Sequence, residues 1–221
     1  MFKKVFELFN SDSLYNQALE ECYEMLEIVR KMFNESIKAL RQSDTADIPI
    51  DIYAMDKKIN EFERDVRRKI MTHLVVSGKE DLGSGLILVS VVIDIERIGD
   101  YTKNIYDLAV QHPDRLKGGE FEDKLTNIEQ STKNFLNDTI DAFKNQDIEK
   151  SRKLMLDYKT DISSVSAEIV DSIISGKNTD FTSTESGSLC LYARYLKRIA
   201  AHSRNLVSSI VNPFERIGYP E

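Results

Sequence analysis

Apolar residues recur at every third or fourth position along most of this chain, which is the spacing of amphipathic helices. After Pro49 these positions are Ile52, Met55, Ile59, Phe62, Val66, Ile70 and Leu74. Similar stretches predict six helices, at about 13–40, 50–77, 82–111, 120–145, 147–175 and 183–211. The fold class that we expect is therefore all-α.

The strongest break in this helical pattern is the segment HPDRLKGG, at 112–119. It contains a proline and two adjacent glycines, which are residues that end helices. Three predicted helices precede the break and three follow it. We therefore expect two tandem three-helix bundles, the first in residues 1–112 and the second in residues 113–221.

The two halves also match each other in sequence, as an internal duplication would produce. A shift of 103 residues places Ile59, Phe62, Val66 and Ile70 on Ile162, Val165, Ile169 and Ile173. In the third helix of each half the shift is 101, and RIGDYTKNI at 97–105 falls on RIAAHSRNL at 198–206. Apolar positions match by chance in any two amphipathic helices, but the paired Arg-Ile and the paired Asn are harder to obtain that way.

Polar side chains on the second and third helices form a candidate metal site. Glu96, Asp100 and Asn104 are four residues apart, so they lie on one ridge beside the apolar stripe. Asn60 and Glu63, in INEFERDV at 59–66, flank the stripe of the second helix. If these helices are neighbours, their oxygen atoms converge and suit Mg, Mn or Fe. An ordinary solvated helix face is the alternative.

The second half replaces this acidic set and is locally basic. At the positions that match Asn60, Glu63, Glu96 and Asp100 it has Ser163, Ser166, Lys197 and Ala201. A lysine ammonium repels a metal ion, so we expect no second metal site. Arg194, Lys197 and Arg198 are candidates for binding an acidic partner or an anion, with a solvated face again as the alternative. Arg97 recurs as Arg198, which predicts an ion pair at the same place in each bundle.

Charge and apolar content argue against two classes of partner. The net charge of −7 is unfavourable for binding nucleic acid, which needs a basic surface. No run of about 18 apolar residues is present, so we expect no membrane insertion. The first ten residues lack the apolar core of a signal peptide, which favours a cytoplasmic protein.

Motifs for catalysis or for organic cofactors are missing from the sequence. It contains no glycine-rich phosphate loop, no dinucleotide fingerprint and no recognisable pair of nucleophile and base. We therefore expect no catalytic residue and no organic cofactor. The Glu-xx-His pairs that carboxylate-bridged metal bundles use are also missing, which argues against an enzyme of that kind.

The stretch VVIDIERIGDYTKNIYDLA, at 91–109, resembles the third-helix signature of the PhoU family, and INEFERDV resembles its second-helix motif. The resemblance covers nearly the whole chain. It implies two three-helix bundles in a cytoplasmic and often dimeric protein. Members of this family couple phosphate uptake to a sensor kinase and repress the phosphate-starvation response, and related domains accompany sodium-phosphate cotransporters.

The resemblance also implies specific residues and partners. The family's ligand motif falls on Glu96 and Asp100, with Glu63 as the acid of the second helix. From it we expect a divalent metal such as Fe, Mn or Mg on the first repeat. We expect a homodimeric regulator that docks on a phosphate transporter component and a sensor kinase, or on a sodium-phosphate cotransporter. The alternatives are a metal-handling or carboxylate-bridged metalloprotein and a dimerisation scaffold without a ligand.

Overall fold

The computed structural model describes residues 13–77, 81–112, 114–176 and 180–220. Its helices are α1 (Leu14–Gln42), α2 (Ile52–Ser77), α3 (Leu82–Gln111), α4 (Glu122–Asn145), α5 and α6 (Ser183–Val211). Helix α5 consists of Ile148–Tyr158 and Ser164–Ile174, which are joined by a π-helical turn at Lys159–Ser163. The described ranges contain no strand, and the predicted all-α fold of six helices is confirmed.

Side-chain caps explain where three of these helices begin. Ser13 Oγ accepts a hydrogen bond from the backbone N–H of Asn16 at 3.2 Å, ahead of α1. The Asp147 carboxylate caps α5 in the same way. Thr182 and Glu185 form a reciprocal capping box before α6. These local hydrogen bonds satisfy backbone N–H groups that the first turn of a helix leaves unpaired.

Each trio of helices buries the apolar stripe that the sequence predicted. Helix α1 packs against α2 and α3, and α6 packs against α4 and α5. The two bundles meet mainly where α3 packs against α6. Because both third helices are used for this contact, the surfaces that remain on them lie beside α2 and α5. The boundary between residues 112 and 113 as a division into domains stays a prediction.

Gly99 brings α3 close to α2 at the level of the predicted metal site. A Cβ atom at this position would lie 3.0 Å from Ile59 Cδ1 and 3.7 Å from Val29 Cγ2. The first distance is tighter than most real Cβ contacts, so an alanine at this position would require the end of the Ile59 side chain to shift by a few tenths of an ångström. Gly99 therefore lets the backbone of α3 pack directly on Ile59, between the polar residues on either side of this contact.

Arg41, at the end of α1, joins the first bundle to the segment that leads into the second. Its side chain is 8% exposed, and its Nε donates to Glu129 Oε1 at 2.6 Å. The guanidinium also donates to the Glu122 carboxylate and to the carbonyl of Leu116. Burial raises the pKa of the Glu129 carboxyl, although the charge of Arg41 opposes this shift. One cation thus holds two carboxylates and the connecting backbone.

We expect replacement of Arg41 by methionine to lower the free energy of unfolding by about 3–5 kcal/mol, because it leaves Glu129 buried without its cation. Urea unfolding at neutral pH measures this change. Arg115→Met is the matched control, since Arg115 is 52% exposed and only 3.8 Å from Asp44. The control should change stability by less than about 0.5 kcal/mol. Equal effects of the two substitutions would contradict this role of Arg41.

Candidate functional site

The three acids predicted as metal ligands lie close enough to affect one another. Glu96 and Asp100 lie on α3 and Glu63 lies on α2; we call these three residues the acidic cluster. The side chain of Glu96 is 13% exposed. Burial, the charge of Asp100 and the charge of Glu63 raise the pKa of Glu96 to about 7. The convergence of the second and third helices that the sequence predicted is therefore present.

Basic side chains already form ion pairs with the carboxylates of the acidic cluster. Arg97 lies 3.5 Å from Glu96 and 3.0 Å from Asp100. Lys103 Nζ lies 3.4 Å from Asp100 Oδ1 and 2.8 Å from Asp56 Oδ2. Glu63 accepts from Arg67 at 3.0 Å within α2. The site as it stands is a network of ion pairs.

The two accessory ligands predicted for this site do not join it. The amide of Asn60 donates to the backbone oxygen of Asp56 at 2.9 Å. Asn104 is half-buried on α3, and no described hydrogen bond connects it to the acids. Asp56, which was not among the predicted ligands, takes part instead. Its spacing from Asn60 and Glu63, four and seven residues, was the signal that could have identified it.

The donor chemistry of the acidic cluster suits a divalent cation, but its arrangement does not form a ligand set. No group of three or more His, Cys, Asp or Glu side chains in the described part of the chain could hold a metal ion. A bound cation would relieve the repulsion that raises the pKa of Glu96. It would first have to displace Arg97 and Lys103. Metal binding here stays a prediction.

The basic candidates of α6 have different environments. Arg194 is exposed and Lys197 is half-buried. Arg198 instead lies at the contact between the bundles, where its Nε donates to the Tyr101 hydroxyl at 3.1 Å and its guanidinium covers the Tyr101 ring. Arg97 has the expected ion pair. No carboxylate within the described residues pairs with Arg198, so the expectation of an ion pair in both bundles is wrong there.

A buried acid at this contact organises the residues around Arg198. Asp94 is 8% exposed, and its Oδ1 lies 2.7 Å from His202 Nδ1 and 2.9 Å from Asn205 Nδ2. His202 Nε2 lies 3.0 Å from Arg198 Nη2. Because a guanidinium only donates, Nε2 accepts and Nδ1 carries the proton that bonds to Asp94. This group was not among the predicted sites, although an acid inside the apolar run VVIDI was its signal.

Known proteins that resemble this chain identify its family. The family model for the PhoU domain matches residues 22–109 and, in a second copy, residues 125–210. The chain belongs to the PhoU family. The curated relatives include a "phosphate-specific transport system accessory protein PhoU homolog" from Clostridium acetobutylicum, 21% identical over 215 residues, which are 96% of this chain and 94% of that protein. A protein of the same description from Pseudomonas putida is 24% identical over 206 residues, 89% of this chain and 79% of that protein.

Solved PhoU structures have the same fold. PhoU from Pseudomonas aeruginosa has a TM-score of 0.75 at 19% identity, covering 92% of this chain and 97% of that one. The phosphate transport system regulatory protein PhoU from Streptococcus pneumoniae has a TM-score of 0.75 at 18% identity, covering 89% and 93%. The resemblance to PhoU seen in the sequence is therefore confirmed. The two matched regions, 22–109 and 125–210, are the first and second PhoU domains.

The raised pKa of Glu96 gives the first PhoU domain a pH-dependent stability. A folded-state pKa near 7, above the ordinary 4.5, means that the folded protein holds this proton to higher pH than the unfolded chain. The contribution of Glu96 to stability therefore falls as the pH rises from about 4.5 to about 7. We expect Glu96→Gln to stabilise the protein at pH 8 by about 1–2 kcal/mol, with solvent screening included.

Urea unfolding of both proteins at pH 4.5 and pH 8, in buffer with a chelator, measures this difference. At the lower pH, where Glu96 of the folded protein is protonated, the gain should nearly vanish. A gain of the same size at both pH values would contradict the assignment, because it would not depend on ionisation.

Proposed function

We propose that this chain is a regulatory accessory protein of phosphate transport that acts by docking on other proteins. Two copies of the PhoU domain over most of the chain are the observation that carries this proposal. The curated relatives are named as accessory proteins of a phosphate-specific transport system. The partners that we propose are a phosphate transporter component and a sensor kinase, with a sodium-phosphate cotransporter as the alternative.

Free thiols and exposed apolar side chains support a docking protein in the cytoplasm. Cys22 and Cys190 are both free thiols, which suits a reducing compartment. No helix within the described ranges combines the length and the apolar character needed to cross a bilayer. Met71, Val75 and Val76 near the end of α2 are 65%, 81% and 80% exposed, and exposed apolar side chains of this size favour a protein contact. A homodimer is part of the proposal.

Deletion of the gene tests the regulatory role. In the organism that carries this chain, we expect a phosphate-starvation reporter to become active in phosphate-rich medium, because the repressing contact is lost. Expression of the intact chain from a plasmid should restore repression. A subunit of the phosphate transporter should also copurify with the tagged chain.

The Val75→Glu and Val76→Glu double variant should weaken that copurification if the end of α2 is the contact. Leu156→Glu on α5 is the matched control, because Leu156 is 76% exposed at a different place. A silent reporter after deletion, together with no transporter subunit in the purified complex, would contradict the proposal.

Metal binding at the acidic cluster is a separate proposal, supported by its carboxylate donors on two helices. If it is correct, protein purified without chelator should contain about one Fe, Mn or Mg per chain by elemental analysis. Glu96→Gln with Asp100→Asn should remove that metal without changing the helix content. Glu61→Gln, at an exposed position of α2, should retain it.

Two other results would contradict this assignment. Metal retained by the double variant would place the ion elsewhere, as in a different kind of metalloprotein. A chain that takes up no metal would leave the acidic cluster as an ion-pair network, in agreement with a scaffold that needs no ligand.

A further inference from the structure

The second PhoU domain has the reverse charge at the place where the first has its carboxylates. The repeat shifts pair Asp56, Glu63, Glu96 and Asp100 with Lys159, Ser166, Lys197 and Ala201. Lys103, which lies among the acids of the first domain, is matched by another cation, Arg204. Four acids around one lysine in the first domain thus correspond to three cations and no acid in the second.

Two contacts between α5 and α6 show how these two helices are aligned. Ser166 Oγ donates to the backbone oxygen of Ala193 at 2.8 Å. At the other end of the region, the Arg204 guanidinium lies 5.5 Å from the centre of the Tyr158 ring. The helices run in opposite directions between these contacts, so Lys159 lies opposite the stretch from Lys197 to Arg204. We call Lys159, Lys197 and Arg204 the basic cluster.

The cations of the basic cluster have no carboxylate partner among the described residues. Lys103 is held by Asp56 at 2.8 Å, whereas none of the ion pairs among the described residues involves the basic cluster. Asp161, an acid close by in the sequence, accepts a hydrogen bond from Thr160 at 2.8 Å. The Nε atom of Arg204 is buried and has no hydrogen-bond partner. The two terminal nitrogens of the same guanidinium also have no described hydrogen bond and are not enclosed, so they are the donors that a ligand can reach.

The backbone opposite Lys197 is unusual as well. It forms the π-helical turn Lys159–Ser163, where the first domain has a regular α-helix. Turns of this kind are frequent at functional sites. The turn ends at Ser163, which is half-buried and whose hydroxyl has no described hydrogen bond. By the alignment of α5 and α6, Ser163 lies opposite Lys197, so its hydroxyl is a neutral donor in the same region.

We infer that the basic cluster and Ser163 bind a tetrahedral oxyanion of the phosphate class between α5 and α6. The lysines supply point charges, and the planar guanidinium of Arg204 supplies fixed N–H donors, which together suit phosphate oxygens. The small side chain of Ala201 stands where the first domain has Asp100, so no carboxylate from this position repels the anion. The inference goes beyond docking on a transporter and does not depend on it.

Titration of the full chain with inorganic phosphate, followed by calorimetry at constant ionic strength, tests this site. We expect saturable binding of one phosphate per chain. Lys197→Glu, which restores the acid of the first domain, should weaken the affinity by about tenfold or more. Lys197→Gln, which removes the charge without adding another, should also weaken it, and the helical circular dichroism of both variants shows whether they fold.

Arg30→Glu is the matched control, because it makes the same charge change on α1 at a residue that is 45% exposed and pairs with Glu27. It should leave phosphate affinity within about twofold, since a distant exposed charge is screened by salt. Equal losses in Lys197→Glu and Arg30→Glu would overturn the inference, because they would report only net charge. Absence of saturable binding at millimolar phosphate would overturn it too. Neither result would change the reporter assay, so the two proposals fail separately.

Discussion

Asp94 is a carboxylate buried between the two PhoU domains, and its pairing constrains how α3 and α6 lie against each other. A buried charge is tolerated only when it is paired and hydrogen-bonded. Its partners His202 and Asn205 both come from α6, so any shift of one domain along the other would break both bonds. Arg198 and Tyr101 extend this group along the same contact. The apolar stripes supply the area of the interface, and these polar groups fix its register.

This contact determines which surfaces are left for ligands and partners. Each third helix has one side against its own bundle and another against the opposite third helix. The acidic cluster therefore lies at the α2–α3 surface and the basic cluster at the α5–α6 surface. Arg198 follows Lys197 directly in the sequence. Arg198 nevertheless lies inside the interface between the domains, whereas Lys197 lies on the side of α6 that faces α5. A step of one residue turns the side chain by about 100° around the helix, which separates these two roles.

The helices and their repeat could be predicted from the sequence because their signals are local. Apolar periodicity, the Thr182 and Glu185 capping box and the glycine pair before α4 all act within a few residues. The meeting of Glu63 with Glu96 could be predicted as well, because the short connection makes α2 and α3 neighbours. Pairings across larger distances could not. The partner of Lys103 is Asp56, 47 residues away, and several other acids were equally available to it in the sequence.

The π-helical turn and the different partners of Arg198 could not be predicted from the sequence either. The residue types at 159–163 do not distinguish a π turn from an α-helical one, since both halves of the repeat keep the same apolar spacing there. Arg198 matches Arg97 in sequence, but Asp100, the acid that holds Arg97, is matched by Ala201. Without that acid the guanidinium binds Tyr101 and His202 instead.

The two PhoU domains show how one helical frame can hold opposite charges. In the first domain, repulsion among the carboxylates is reduced by Arg97 and Lys103, so an added metal ion would compete with cations that are already part of the chain. A metal ion gains only the difference between its own attraction and that of the displaced side chains, which makes its binding weaker than the number of acids suggests. In the second domain no internal anion performs the corresponding role for Lys159, Lys197 and Arg204 among the described residues. Charge compensation there comes from solvent or from a bound anion, and three like charges without an internal counterion favour the anion.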